Sequence, residues 1–191
     1  MADPRHKSVR VSKRVDRRVQ RTQRELGMAF AELLTRRSYH SIRVSDITRK
    51  AAVGRATFYA HFDRKEDLLR TQLGGVIDAY VKVPPKAPWR LDATGLFAHI
   101  QEIPQMYRTF MHGPSAKEVI AMARDIVEQR ICAALRSGAV AVPVEPPAML
   151  ARHAAASLFD LLDWWFEHDM PMTPAQINAA YQALLPAVEA A

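Results

Sequence analysis

Apolar residues recur at α-helical spacing along most of this 191-residue chain, and no segment alternates apolar and polar residues as a half-buried strand does. The clearest run follows the pattern i, i+3, i+4, i+7, i+8, which places its members on one helix face: Leu26, Ala29, Phe30, Leu33 and Leu34. Proline and glycine separate further runs of this kind. The sequence therefore predicts an all-α fold of about nine helices.

Two helix starts carry capping signals. Asp63 and Glu66 have the spacing of a capping box, which predicts that a helix begins directly after Asp63. Near the C-terminus, Thr173 is followed at once by Pro174 and, three residues after the threonine, by Gln176. Proline suits the first position of a helix, so this second start is predicted with two independent signals.

The charge of the chain is divided unevenly. The net charge is +7, but residues 1–70 carry 18 Lys and Arg against 8 Asp and Glu, whereas the remainder carries 9 against 12. A basic first third predicts that this part of the chain contacts a polyanion such as nucleic acid. A solvated basic surface without a partner is the alternative that charge alone leaves open.

The sequence motifs of common enzyme and metal sites are missing. There is no glycine-rich phosphate loop, no HExxH and no GxSxG, and the histidines lack metal-ligand spacing. The single Cys132 excludes an intramolecular disulfide and a cysteine-based zinc site. No apolar stretch approaches the ~18 residues of a membrane helix, and the N-terminus lacks an apolar signal region. We therefore predict no catalytic residue, metal, cofactor or membrane contact, and a reducing cytoplasm as the compartment.

Residues 44–62 predict two short helices joined by a tight turn, the helix-turn-helix arrangement whose second helix can enter the major groove of DNA. Apolar residues that would pack the two helices together are Ile47, Ala51, Val53, Phe58 and Phe62. Polar and small residues would remain on the exposed side of the second helix: Arg55, Ala56, Thr57, Tyr59 and His61. Hydroxyl and imidazole donors of this kind suit contacts to phosphates.

On these residues the resemblance to a known family becomes specific. Residues 21–69 resemble the DNA-binding domain of the tetracycline-repressor (TetR) family of bacterial regulators, through a motif in the following order: Ile42, Val44, Asp46, Ile47, Ala51, Val53, residues 55–59, His61, Phe62 and residues 65–69. The chain departs from the family pattern at Ala52, where glycine is usual. A left-handed alanine there costs roughly 1 kcal/mol. Arg43 replaces the usual threonine, and Arg37 stands where glycine is common.

The resemblance implies a set of DNA contacts at matching positions: Arg43, Ser45, Arg55, Ala56, Thr57, Tyr59, His61 and Lys65. Within this set, it implies phosphate contacts for four residues: Thr57, Tyr59, His61 and Lys65. Arg55 and Ala56 would instead face the edges of bases. The partner is therefore expected to be double-stranded DNA.

The chain is expected to have three parts. Residues 1–18 form a basic N-terminal arm with seven Lys and Arg against two Asp, expected to be flexible and to follow DNA phosphates, with a solubilising tail as the alternative. Residues 19–79 form the helix-turn-helix domain, including a linking helix from about residue 65. Residues 80–191 form the ligand-binding and dimerisation domain, and prolines predict a linker or elbow near its start, over residues 83–90.

Two sets of residues in residues 80–191 are candidates for binding. Met and aromatic side chains could line an adaptable ligand pocket, with ordinary core packing as the alternative: Met106, Tyr107, Phe110, Met111, Met122, Ile126 and Trp164. A stripe centred on small residues could form a helical dimer interface, with burial inside one subunit as the alternative: Ala151, Ala154, Ala155, Leu158, Leu162 and Trp165.

Together these expectations describe a homodimeric regulator on the bacterial nucleoid in the cytoplasm. Its expected activity is that of a repressor, released from a pseudo-palindromic operator by a small-molecule effector. The alternative from another class is a ligand-independent DNA-binding or architectural protein whose C-terminal half only dimerises. A helical enzyme would require convergent polar groups in a cavity.

Overall fold

The computed structural model describes residues 4–83, 91–136 and 146–185, with the backbone alone for residues 4–17. In these ranges the chain forms nine α-helices and one short 3-10 helix, which confirms the all-α prediction. The helices are α1 (Pro4–Arg36), the 3-10 helix (Tyr39–Ser41), α2 (Val44–Lys50), α3 (Arg55–Tyr59), α4 (Lys65–Tyr80), α5 (Thr94–Glu102), α6 (Pro104–His112), α7 (Ala116–Arg136), α8 (Pro147–Glu167) and α9 (Pro174–Leu184). Of the predicted proline break, residues 84–90 lie outside the described residues.

The chain divides into two compact units, residues 1–69 and 70–191. The predicted boundary after residue 79 is therefore too late, because α4 begins in the first unit and most of it belongs to the second. Of the predicted N-terminal arm, residues 4–18 have a helical backbone that is continuous with the rest of α1.

The first unit has its own apolar core. The face of α1 that the periodicity predicted is buried, and it packs with α2, α3 and the start of α4 through side chains that are at most 6% exposed: Leu26, Phe30, Ile47, Phe58, Phe62 and Leu68. The rings of Phe58 and Phe62 lie 5.8 Å apart between centroids. This core fixes the orientation of α3, because Phe58, the fourth residue of that five-residue helix, is fully buried.

Capping groups set the helix starts. The backbone N–H of Arg64 donates to the carboxylate of Asp67 at 2.9 Å. The capping interaction at the start of α4 therefore lies one residue later than the predicted pair, Asp63 and Glu66. The start of α9 is as predicted. There the backbone N–H of Gln176 donates to the hydroxyl of Thr173 at 3.3 Å.

The turn between α2 and α3 contains the left-handed residue that the departure from the family pattern indicated. Ala52 has φ of 55°. The backbone N–H of the next residue, Val53, donates to the carbonyl of Thr48 at 3.0 Å, which closes the turn. Alanine is therefore accommodated in a conformation that usually favours glycine, at a cost of roughly 1 kcal/mol.

The second unit buries a larger core in which α8 is central. Trp165 and Tyr181 are fully buried and each has a hydrogen bond for its polar atom. The indole N–H of Trp165 donates to the carbonyl of Met172 at 3.1 Å, and the hydroxyl of Tyr181 donates to the carbonyl of Ala154 at 2.8 Å. Burial raises the pKa of Tyr181, so this hydroxyl remains protonated.

This packing corrects the predicted dimer interface. The six stripe residues are at most 3% exposed within a single chain: Ala151, Ala154, Ala155, Leu158, Leu162 and Trp165. Side chains covered by their own subunit have no surface left for a second copy. The alternative of burial inside one subunit is therefore correct for this face of α8, and a dimer must use another surface.

Candidate nucleic-acid interface

The short helix α3 presents its polar side to solvent. Phe58 is fully buried, whereas the neighbouring Tyr59 is 56% exposed and its ring stands edge-on to that of Phe58 at 5.5 Å between centroids. Arg55 and Ala56 are exposed, and Thr57 is half-buried. The buried phenylalanine thus holds three of the predicted DNA-contacting residues, Arg55, Ala56 and Tyr59, on the outer side of the first unit.

A surface groove runs beside this helix. It has a volume of about 510 Å³ and is lined by Arg18, Val19 and Thr22 of α1 together with Ala52, Val53, Gly54, Thr57 and His61. We call it the α1–α3 groove. Two residues predicted to contact phosphate, Thr57 and His61, therefore lie next to a segment of α1 that the motif did not include.

Helical spacing in the sequence could have identified the residues of α1 that line this groove. Arg18 and Thr22 are four residues apart, so they lie on the same side of a helix. This spacing becomes informative only if residue 18 is inside a helix. The assignment of residues 1–18 to a flexible arm removed that inference.

Lys65 departs from its expected role as a phosphate contact. Its ammonium donates to the carbonyl oxygens of Tyr39 at 2.7 Å and Ile42 at 2.8 Å. Partial burial lowers the pKa of this lysine. Two of its three N–H donors are therefore used inside the first unit.

The start of α2 concentrates positive charge around one carboxylate. The backbone N–H of Arg43 donates to Asp46 at 3.0 Å, and the side chains of Arg37 and Arg49 approach the same carboxylate at 3.3 and 3.8 Å. The hydrogen bond from Arg43 and the two arginines lower the pKa of Asp46. The exposed Arg43 and the half-buried Ser45 both lie at this helix start, separated by Val44.

The predicted ligand-pocket residues differ in exposure, and three of them pack against the core that contains Ile126: Tyr107, Met111 and Met122. Met106 is 37% and Trp164 39% exposed, and the Trp164 ring stacks on His168 with centroids 4.5 Å apart. Ile126 lies in the apolar core, where ordinary packing explains it, and four residues are half-buried: Tyr107, Phe110, Met111 and Met122.

Two features are absent from the described residues. Among them, no three His, Cys, Asp or Glu side chains are grouped closely enough to hold a metal ion. In the same part of the chain, no helix is both long and apolar enough to cross a membrane.

Comparison with known proteins agrees with this geometry. Residues 29–71 match the family model of bacterial regulatory proteins of the tetR family. The uncharacterized HTH-type transcriptional regulator YxbF of Bacillus subtilis (strain 168) is 48% identical over 62 residues, which are 32% of this chain and 16% of that protein. The HTH-type dhaKLM operon transcriptional activator DhaS of Lactococcus lactis subsp. lactis (strain IL1403) is 44% identical over 48 residues, 25% of this chain and 26% of the activator. The chain thus matches about a quarter or less of the length of these relatives.

The similarity in fold extends further than the similarity in sequence. The TetR transcriptional regulator from Streptococcus agalactiae 2603V covers 91% of this chain and 98% of its own length, with a TM-score of 0.59 and 23% identity. At 23% identity, this likeness shows similarity in fold alone. The family and these relatives are regulators of transcription rather than enzymes.

Proposed function

We propose that this chain, a member of the tetR family of bacterial regulatory proteins, binds double-stranded DNA as a homodimer and regulates transcription in the bacterial cytoplasm. We propose further that it is a repressor, released from a pseudo-palindromic operator by a small-molecule ligand. The observation that carries the proposal is the exposed Tyr59 beside the buried Phe58 on α3. An exposed aromatic hydroxyl on a helix fixed by the core is suited to phosphate contact.

The charge of the first unit supports DNA as the partner. Residues 1–70 have a net charge of +10, and the acids near α2 and α1 are paired with bases. Asp46 lies between Arg37 and Arg49, and Glu32 contacts Lys50 at 2.6 Å. A surface with this excess of positive charge attracts a polyanion over distances of about a Debye length, ~10 Å at 0.1 M salt.

The proposed dimer uses the outer faces of the last two helices. On α8, Met149 and Trp164 are exposed large apolar residues, and Leu184 is a third near the end of α9. These side chains have the solvent-facing surface that the inner stripe lacks. In a two-fold dimer the two copies of α3 must reach successive major grooves ~34–36 Å apart, which requires a pseudo-palindromic operator.

The proposal of repression rather than activation rests on ligand binding by the second unit, not on the DNA-binding domain. DhaS is named an activator, but its match covers only 48 residues of this chain. A small molecule that fits the second unit better in a DNA-incompetent conformation would release the operator through α4, which is continuous from Lys65 to Tyr80. The alternative is a ligand-independent DNA-binding protein whose second unit only dimerises.

Selection of DNA sequences with the full chain tests the proposal. Duplexes that bind the wild-type protein are selected from a random pool and sequenced, and the region of each that the protein protects is mapped by footprinting. We expect two inverted half-sites with centres about 10–10.5 base pairs, or a multiple of that, apart. A footprint over one asymmetric half-site would contradict the dimer, and no enrichment at all would contradict sequence-specific binding. Once a ligand is found, DNA and ligand must weaken each other's binding by the same factor, and equal ligand affinity with and without operator would favour the ligand-independent alternative.

A further inference from the structure

The α1–α3 groove contains polar groups that the helix-turn-helix motif does not explain. Arg18 and Thr22 come from α1, outside both helices of the motif, yet they line the same groove as Thr57 and His61. Arg18 is exposed and Thr22 is half-buried. The motif therefore describes only one wall of this groove.

The chemistry of the groove selects an anion. Its polar side chains are a guanidinium, two hydroxyls and an imidazole, from Arg18, Thr22, Thr57 and His61, and none of the described residues that line it carries a carboxylate. The two glutamates of α1 have basic partners elsewhere. Glu25 accepts from Arg21 at 2.8 Å, and Glu32 contacts Lys50 at 2.6 Å.

The location of the groove identifies the anion as part of a larger partner. It adjoins the turn at Gly54, directly before the exposed Arg55 of α3. DNA in contact with Arg55 and Tyr59 would bring its backbone over this edge of the first unit. Hydroxyl, imidazole and guanidinium donors are the groups that contact phosphate oxygens and orient a protein on the duplex.

We infer that Arg18 and Thr22 of α1, together with Thr57 and His61, bind a backbone phosphate of DNA in the α1–α3 groove. This inference rests on the proposed DNA-binding function and extends the interface beyond the motif. It also connects the basic N-terminal arm to the DNA interface. Residues 4–17 carry six Lys and Arg against one Asp, and their backbone is joined to Arg18 within the same helix, α1.

The salt dependence of binding tests this inference with a matched pair of variants. Arg18→Ala removes a groove arginine, and Arg24→Ala removes an exposed arginine of the same helix that does not line the groove. The probe is a duplex of random sequence, with affinity measured by fluorescence anisotropy over a series of salt concentrations. Each phosphate contact contributes about 0.9 to the log–log slope. We expect Arg18→Ala to reduce the slope by about 0.9 per subunit and Arg24→Ala to leave it unchanged.

Two further variants separate charge from geometry. Arg18→Lys retains the positive charge and should restore the slope, because counterion release depends on charge. Thr22→Val removes a hydroxyl without changing charge, so it should weaken binding severalfold at every salt concentration while the slope stays at its wild-type value. Thermal unfolding by circular dichroism confirms that each variant is folded.

The outcomes distinguish this inference from the function on which it rests. Equal slopes for Arg18→Ala and Arg24→Ala would overturn the phosphate contact while wild-type binding stands. Wild-type protein that binds no duplex at low salt would overturn the proposed function itself.

Discussion

The ammonium of Lys65 lies 4.2 Å from the centre of the Tyr39 ring and donates to the carbonyl oxygens of Tyr39 and Ile42. This contact ties the first residue of α4 to the segment between α1 and α2. An ammonium bound in this way stabilises the first unit directly. The family position that implies a phosphate contact therefore has a structural role in this chain.

Replacement of Lys65 by methionine tests this role. The two carbonyl oxygens would lose a charged donor, so we expect Lys65→Met to lower the free energy of unfolding by about 1–3 kcal/mol. The salt slope of DNA binding should be unchanged, because the ammonium already donates to two backbone carbonyls inside the first unit. Urea denaturation measures the free energy of unfolding, and fluorescence anisotropy measures the salt slope. A slope reduced by about 0.9 with unchanged stability would instead support the phosphate contact that the sequence predicted.

Asp46 provides a prediction for pH. The Arg43 hydrogen bond and the arginines lower its folded-state pKa below the unfolded value of about 3.9. Its contribution to stability is therefore present above about pH 4 and is lost as the pH falls through the folded-state pKa. We expect Asp46→Ala to lower the free energy of unfolding by about 0.5–2 kcal/mol at pH 7.

The difference between wild type and Asp46→Ala should shrink below pH 4, since protonation removes the same advantage from the wild type. Denaturation at several pH values measures it. Asp63→Ala is the control, because the structure does not use that exposed residue as the cap of α4. A difference that is independent of pH would show that the carboxylate charge is not what stabilises α2.

The sequence predicted features that depend on local chemistry, but not those that depend on contacts between distant parts of the chain. The family motif predicted the turn at Ala52 and the exposed face of α3 because both depend on local chemistry. Periodicity identified the apolar face around Leu158, but it could not show which element covers that face. The covering residues come from distant parts of the chain, so a buried stripe and a dimer interface have the same pattern.

Leu158 and Trp164 lie on different faces of α8 and should respond differently to substitution. Leu158 is fully buried, so Leu158→Ala should destabilise the fold by about 2–5 kcal/mol. Trp164 is exposed, so Trp164→Glu should leave the melting temperature of the subunit largely unchanged and shift the protein toward monomer. Sedimentation velocity measures the second effect. A dimer that persists in Trp164→Glu would exclude this residue from the subunit contact.

Two glycines should respond to alanine in opposite ways. Gly75 is inside α4, and an added Cβ would meet nothing within 4 Å. Gly75→Ala should therefore stabilise the fold by about 1 kcal/mol, since alanine is the better helix former. At Gly113 an added Cβ would collide with the carbonyl oxygen of Thr109, so Gly113→Ala should destabilise it. Thermal unfolding compares them, and a Gly75→Ala protein that is less stable than wild type would show that α4 requires glycine there.

The last prediction separates the two kinds of DNA contact expected on α3. Tyr59→Phe removes one exposed hydroxyl, so binding should weaken by about 1 kcal/mol on every sequence. Arg55 is exposed at the start of the helix, where a guanidinium can donate to the edge of a guanine. Arg55→Ala should therefore reduce discrimination at one base pair of each half-site by about 1–3 kcal/mol. Sequence selection with each variant compares the bound motifs, and an unchanged motif for Arg55→Ala would show that this arginine contacts only the backbone.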